Sequence, residues 1–251
     1  STIVKKILYP ALMKKLGKSS PEQGKFKSLE GDYRRIDEVE MVDQNPIGRS
    51  SRSNPATYVK AFDIIRDLFA NQHLAKVRGY KAGHFSYNVP GGRCETCKGE
   101  GEITISMQFM ADVKLKCEEC KGKRYSVEAL EVELNEKSIN DVLEMSIEEA
   151  LAFFDSDSNY DKKIRERIQP LVDLGLGYLK MGQSSSTLSG GEAQRVKLAS
   201  FLALGNQASR SKTKSVASTL FIFDEPTTGL HFHDIAKLII AFDALIKLGH
   251  S

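Results

Sequence analysis

The sequence predicts an α/β fold interrupted by a four-cysteine module, and three observations predict it. Thr219–Phe223 is a continuous apolar run, as a strand buried on both faces of a parallel sheet requires, and it ends on Asp224-Glu225-Pro226. Amphipathic segments with helical spacing lie at 3–16, 57–68 and 235–248. Between them, two Cys-x2-Cys pairs bracket a stretch that alternates with the period of a strand.

In chain order, Ile3, Ile7, Leu8, Ala11 and Leu12 share a helical face, which Pro10 must kink or break. Residues 17–35 are polar and contain glycine, so they read as a loop. Residues 36–42 alternate as a short strand that delivers Asp43-Gln44 to its carboxyl end. A turn-rich loop, Asn45-Pro46-Ile47-Gly48-Arg49 and on to Pro55, precedes a helix carrying Phe62, Ile65 and Phe69. Gly91-Gly92 open the cysteine module. Ile103, Ile105, Met107 and Phe109 alternate with polar residues, and Val113 and Leu115 alternate on the way back, so a β-hairpin turns near Ala111-Asp112. Ser138-x-x-Asp141 and Ser146-x-x-Glu149 are helix starts, the second a capping box. A helix at 148–154 yields to a loop at 155–159, and another spans 160–174 with Pro170 inside it. The Ser/Lys-rich run 208–218 reads as an exposed loop.

The 251 residues are long enough to bury a substantial core, and 41% apolar with 27% charged is a globular composition. There is no signal-peptide pattern and no run of 18 apolar residues, which argues against secretion and membrane spanning. The net charge of +3 is uninformative, but its distribution is not. Residues 46–124 carry 14 Lys/Arg against 8 Asp/Glu (+6), and residues 125–168 carry 5 against 12 (−7). A basic stretch holding all four cysteines points to a polyanion surface on part of the chain. The chain begins on Ser1-Thr2-Ile3-Val4 without an initiator methionine and ends on Gly249-His250-Ser251, so it reads as an excerpt of something longer.

Cys94-x2-Cys97 and Cys117-x2-Cys120 are separated by nineteen residues and are the only cysteines. The hairpin between them brings the pairs together, and four thiolates in a tetrahedron suit structural Zn²⁺ with no open position for catalysis. Gly99, Gly101 and Gly122 permit the tight turns that follow each pair. Two disulfides, an iron–sulfur cluster, or cysteines without a common role are the alternatives; the pairing and the lack of a secretion signal disfavour disulfides. Lys98, Lys114, Lys116, Lys121, Lys123 and Arg124 surround the scaffold, as phosphate contacts or as ordinary solvated side chains.

Leu188-Ser189-Gly190-Gly191-Glu192-Ala193-Gln194-Arg195 runs into an apolar helical pattern. Ser189 can cap that helix, Glu192 closes the box, and the glycines expose N–H groups where the helix dipole is positive, which makes an anion cradle. After the run Thr219–Phe223, Asp224 can hold Mg²⁺ and Glu225 can polarise an attacking water, with Thr227-Thr228-Gly229-Leu230-His231 as the following turn.

These last stretches resemble the signature, Walker B and following turn of ABC-type ATPases. Ile7-Leu8-Tyr9-Pro10-Ala11-Leu12, Val42-Asp43-Gln44-Asn45-Pro46-Ile47-Gly48-Arg49, Ser53-Asn54-Pro55-Ala56-Thr57-Tyr58, Gly91-Gly92-Arg93-Cys94-Glu95 and Lys121-Gly122-Lys123-Arg124-Tyr125 narrow the resemblance to the UvrA family of excinuclease components, in its second nucleotide-binding half. The resemblance covers essentially the whole chain. It implies a P-loop ABC-type ATPase core, truncated at both ends, with a large inserted signature domain that bears the four-cysteine zinc β-hairpin module. Residues 1–45 and 205–251 would be the two parts of the ATP-binding core, and residues 46–204 the signature domain, with the zinc module at 91–125.

The resemblance further implies cofactors ATP/ADP with Mg²⁺ and structural Zn²⁺. Ser1 and Thr2 look like the tail of a phosphate-binding loop whose glycines and lysine are absent, Ser1 being the hydroxyl that meets Mg²⁺. Gln44 matches the Q-loop glutamine that senses Mg²⁺ and the γ-phosphate, Asp224 the Mg²⁺ carboxylate and Glu225 the catalytic one. Ser189, Gly190, Gly191 and Glu192 fall in the signature, which serves a nucleotide held by the other nucleotide-binding half. The switch histidine beyond the next strand is missing, so this chain alone is expected to hydrolyse ATP negligibly. The family it resembles is bacterial and cytoplasmic, binds duplex DNA with bulky lesions as a homodimer, and hands the site to UvrB without cutting DNA itself. Arg49, Arg52, Lys60, Arg78, Lys81 and Arg93 join the lysines above as DNA contacts on charge and loop position alone. A transporter motor lacks such a zinc insertion, and a chromosome-maintenance ATPase would show sustained heptads, absent here. A non-catalytic zinc-stabilised DNA-binding or docking module is the remaining alternative.

Overall fold

The computed structural model describes residues 2–48, 50, 52–107, 112–210 and 218–251. Two strands distant in sequence organise it. β1 (Glu38–Val42) and the last strand, Thr219–Phe223, pair in parallel, Glu38 opposite Thr219 and Val42 opposite Phe223. Both therefore end at the same edge, which places Asp43-Gln44 beside Asp224-Glu225. The first strand starts two residues later than its alternation predicts, because Tyr33–Arg35 forms a 3-10 turn. The apolar run Thr219–Phe223 was expected to be buried on both faces. Thr219 and Phe221 are buried, but Leu220, Ile222 and Phe223 are only half covered, since β1 is its one strand neighbour among the described residues.

The first helix survives its proline. A π-helical segment Val4–Leu8 runs directly into α1 (Tyr9–Lys15), with Pro10 in the first turn of the latter. Pro10 has no N–H to offer the carbonyl of Lys6 four residues back. The N–H of Gly24 takes its place at 2.8 Å, so the polar 17–35 loop folds back onto the helix at the point the proline leaves open.

The helix expected at 57–68 is two helices, α2 (Pro55–Tyr58) and α3 (Ala61–Ala70), because Lys60 takes a left-handed φ of 63°. Asn54 caps α2 in a capping box with Thr57. Short α4 (His73–Val77) and the 3-10 turn Ala82–Phe85 lead to the cysteine module, whose hairpin is β2 (Glu102–Ile105) and β3 (Val113–Lys116). Ile103 faces Leu115 and Ile105 faces Val113, and β2 ends at Ile105, so Met107, which the alternation placed in the strand, lies beyond it. Of the expected turn at Ala111-Asp112, Ala111 lies outside the described residues, and Asp112, just before β3, accepts the Ser106 hydroxyl at 3.0 Å.

Beyond the module come α5 (Val127–Leu130), then a two-residue hairpin of β4 (Glu133–Leu134) and β5 (Lys137–Ser138) that the sequence pattern does not announce. Its turn residues Asn135 and Glu136 both have positive φ (47° and 62°), the geometry of a tight hairpin turn without the usual glycine. α6 (Ile139–Glu144) and α7 (Ile147–Phe153) begin in the anticipated places, and both carry capping boxes, Ser138 with Asp141 and Ser146 with Glu149. α8 (Asn159–Asp173) tolerates Pro170 in its last turn. α9 (Gly190–Arg210) runs three residues into the stretch expected to be loop, of which 211–217 lie outside the described residues. β6 is the Thr219–Phe223 strand, and α10 (Phe232–Lys247) closes the chain. One apolar cluster extends from Val42 through Phe62, Phe85, Ile164 and Val196 to Leu245, and the four cysteines form a second.

Candidate functional site

The cysteine module is built by two turns of the same form. After each pair, a lysine and then a glycine adopt positive φ: Lys98 and Gly99 (51°, 85°), Lys121 and Gly122 (50°, 82°). These turns aim four sulfurs inward. Cys94 and Cys117 Sγ lie 3.9 Å apart, Cys97 and Cys120 Sγ 3.6 Å, and all four ligand atoms fall within 4.8 Å of one another. A tetrahedron with sulfurs about 2.3 Å from zinc has edges of about 3.8 Å. Disulfide sulfurs would sit at about 2.05 Å, so the four thiols are free and arranged for a metal. The Cys120 backbone N–H pulls the Cys117 thiol below its ordinary value, whereas burial pushes Cys97 up and Cys120 to about 12. Neutral buried thiols behave so, and a bound cation reverses it by stabilising thiolates. The base is closed by an antiparallel bridge of Arg93 with Tyr125, the Cys94 N–H donating to the Arg124 carbonyl at 2.9 Å.

The basic residues divide into two groups. The arginines are engaged within the fold. Arg52 pairs with Glu100 at 2.7 Å and Arg78 with Glu131 at 2.5 Å. Arg93 pairs with Glu95 at 3.1 Å, and Arg124 lies over the Tyr87 ring. Lys60, Lys81, Lys98, Lys114, Lys116, Lys121 and Lys123 are exposed. Arg49 lies outside the described residues.

At the far edge, the carboxyl ends of β1 and β6 gather the other site residues. The Gln44 side-chain amide reaches toward the Glu225 carbonyl at 3.4 Å. A Cβ on Gly190 would lie 3.0 Å from the Cβ and Oε1 of Gln44, so the start of α9 is set against the Gln44 side chain. The Ser189–Glu192 box is present: the Ser189 N–H donates to Glu192 Oε2 at 2.7 Å, and the Glu192 N–H to Ser189 Oγ at 3.3 Å. Burial alone would raise Glu192; the hydroxyl of Tyr178 and the Ser189 donors outweigh it and hold the carboxyl down. Burial and that same carboxylate push Tyr178 up to about 12. Glu225 itself has a positive φ of 49°, an uncommon backbone for a non-glycine residue. Ser1 lies outside the described residues, and Thr2 is an exposed first residue of the opening helix.

Four residues here were not among the site residues expected from the sequence. Lys5 Nζ sits 2.6 Å from Asp224 Oδ2, and that hydrogen bond holds Asp224 below and Lys5 above their ordinary values. Buried Gln194 donates both amide hydrogens, to the Val42 carbonyl at 2.7 Å and the Asp224 carbonyl at 3.0 Å, and so ties α9 to the ends of both strands. Lys197 pairs with Asp43 at 2.6 Å. Tyr178 is the fourth. Gln194 stands in the signature octapeptide, so its polarity within a helix heading into the core was the available signal. Lys5 and Tyr178 carry none.

No family model matches the chain. Relatives do. UvrABC system protein A of Clostridium acetobutylicum is 50% identical over 251 residues, that of Bacillus subtilis 51% over 249, and that of Thermus thermophilus 50% over 251. Each alignment takes in 99–100% of this chain and 25% of the relative, so the chain spans about a quarter of the length of these proteins. Among solved structures, UvrA2 from Deinococcus radiodurans superimposes with a TM-score of 0.75 at 44% identity, over 88% of this chain and 25% of that one. With a four-cysteine cluster fit for zinc and an α/β strand pair that brings Gln44, Gly190, Asp224 and Glu225 together, the chain is homologous along its length to about a quarter of UvrABC system protein A, an ABC ATPase family member.

Proposed function

We propose that the chain is the nucleotide-binding and DNA-contacting part of a damage-recognition protein of nucleotide excision repair. The observation that carries the reading is the meeting of the Gly190 turn, Gln44, Asp224 and Glu225 at one end of β1 and β6. In the proposed division, 1–45 and 205–251 belong to the ATP-binding core and 46–204 to the signature domain.

Bound ATP with Mg²⁺ would supply a polarised phosphoryl group. Asp224 would hold the cation, which requires its carboxylate to leave Lys5, and Glu225 would orient a water. Gln44, between them and the Gly190 turn, would report cation occupancy to the signature. The N–H groups at Gly190 and Gly191, with Ser189, would receive phosphate from an opposing half at a positive helix end. Ser1 and Thr2 would complete the phosphate-binding side.

Zinc held by Cys94, Cys97, Cys117 and Cys120 would keep the β2–β3 hairpin in place, a hairpin too short to persist alone. DNA contact then falls first to the exposed lysines 98, 114, 116, 121 and 123, because the neighbouring arginines already hold internal partners. Such contacts read backbone geometry and deformability rather than base edges, as a lesion sensor should. A homodimer of the longer protein, hand-over to UvrB and a cytoplasmic location belong to the same proposal.

The test is binding of the zinc-loaded chain to matched short duplexes, with and without a bulky adduct, across a salt series. Affinity should fall steeply with salt, with a slope set by the lysine–phosphate contacts. Tighter binding to the adduct places discrimination in this part, and equal binding moves it to the longer protein. No binding with zinc present would overturn the DNA assignment.

A further inference from the structure

Arg52 stands where three parts of the molecule meet. Its guanidinium lies on the first zinc turn, with Nε on Glu100 at 2.7 Å and Nη2 donating to the Lys98 carbonyl at 2.9 Å. Its own carbonyl accepts from the hydroxyl of fully buried Tyr87 at 3.1 Å, and that hydroxyl is in turn held by Asn54 Nδ2 at 2.5 Å. The carbonyl of the next residue, Ser53, accepts the N–H of Ser185 at 2.7 Å. Ser185 is buried in the 3-10 turn Ser185–Thr187, and its hydroxyl also reaches the Ser50 carbonyl at 3.4 Å. Two residues after that turn the capping residue Ser189 begins α9.

The zinc turn also presses directly on this junction. Gly99 packs so closely on the Tyr87 carbonyl that a Cβ there would lie 1.9 Å from its oxygen. Lys98 and Gly99 hold positive φ in this turn, and the four sulfurs it helps gather lie within 4.8 Å of one another, where a shared metal would fix it. Released from the metal, a pair of four-residue strands has little to hold it. The two acceptors that anchor Arg52 would then be free to move.

We propose that Arg52 is a positioning residue that couples the metal state of the cysteine module to the order of residues 184–189, the approach to the signature turn. The route is Lys98/Glu100 to the Arg52 guanidinium, the Arg52–Asn54 backbone to Ser185, and Ser185 to Ser189. It rests on zinc occupying the four cysteines, not on ATP hydrolysis. Linkage makes it reciprocal: ordering the signature turn tightens zinc binding by the same factor by which zinc orders the turn.

The experiment is amide hydrogen exchange on the 251-residue chain, with zinc content measured on every sample. Stripping zinc with a chelator should speed exchange of the Ser185 amide and its neighbours by about tenfold, the loss of roughly one charge-assisted contact. Arg52→Ala should produce the same acceleration with zinc still bound, and chelation should then add little. Glu100→Gln, which spares the Lys98 contact, should give a smaller rise at the same amides. Zinc retained in Arg52→Ala with Ser185 exchange unchanged would overturn the proposal, as would an equal acceleration in α8. A chain that binds no zinc would overturn both the metal reading and the coupling, whereas zinc binding with an indifferent Ser185 overturns the coupling alone.

Discussion

Gln194 has two amide hydrogens and uses both on carbonyls at the ends of two different strands, in a buried position. Gln194→Ala removes the side-chain donor shared by the Val42 and Asp224 carbonyls, leaving Val42 the longer Asp224 N–H contact at 3.4 Å, and is expected to destabilise the chain by about 1–3 kcal/mol. Urea denaturation with zinc saturating measures it, and a change below about 0.5 kcal/mol would contradict the burial argument. The glycines give a sharper contrast. Gly99→Ala meets the Tyr87 carbonyl at 1.9 Å from a backbone with φ of 85°, so it should abolish stoichiometric zinc binding or folding. Gly83→Ala meets nothing within 4 Å and should leave zinc content and Tm unchanged. Equal behaviour of the two variants would show that the zinc turn is not packed on Tyr87.

At the scale of elements, the helix starts were legible because their cause is local: a serine and a carboxylate three residues apart satisfy each other wherever the rest of the chain goes. For Asp141, burial would raise the carboxyl, but the Ser138 hydroxyl (2.7 Å) and N–H (2.9 Å) outweigh it and hold it below its ordinary 3.8. A depressed folded value stabilises above the unfolded one and loses that stabilisation as pH falls through the folded value. Ser138→Ala should therefore cost about 1 kcal/mol at neutral pH, and the gap from the parent should narrow as pH drops below 3.8, leaving the part due to the Asp141 N–H on Ser138 Oγ. Parallel urea titrations at neutral pH and in acid below that value test this; a gap that widens in acid would refute the assignment. The β4–β5 hairpin and the break between α2 and α3 were not legible. Asn135, Glu136 and Lys60 hold left-handed backbones that glycine ordinarily marks, so the turn chemistry left no visible sign.

For the whole molecule, joining the ends of β1 and β6 sets the acidic pair beside Gln44 and the start of α9, with the Asp224 carboxylate held on Lys5. The purified chain is expected to show ATP turnover indistinguishable from that of Glu225→Gln in a phosphate-release assay. Robust turnover abolished by that substitution would refute the expectation. The amino-acid sequence by itself determined the four-cysteine module, the capping boxes, the existence of the hairpin and the strand-end acids, since each depends on neighbours within a few residues or on the spacing of the cysteine pairs. Tertiary structure alone decided that Lys5 lies on Asp224, that Gln194 and Lys197 tie α9 to the strand ends, and that the arginines around the zinc turns hold carboxylates, carbonyls and an aromatic ring. Those contacts join segments far apart in the chain, and their partners are selected by where the backbone carries them, which no local pattern records.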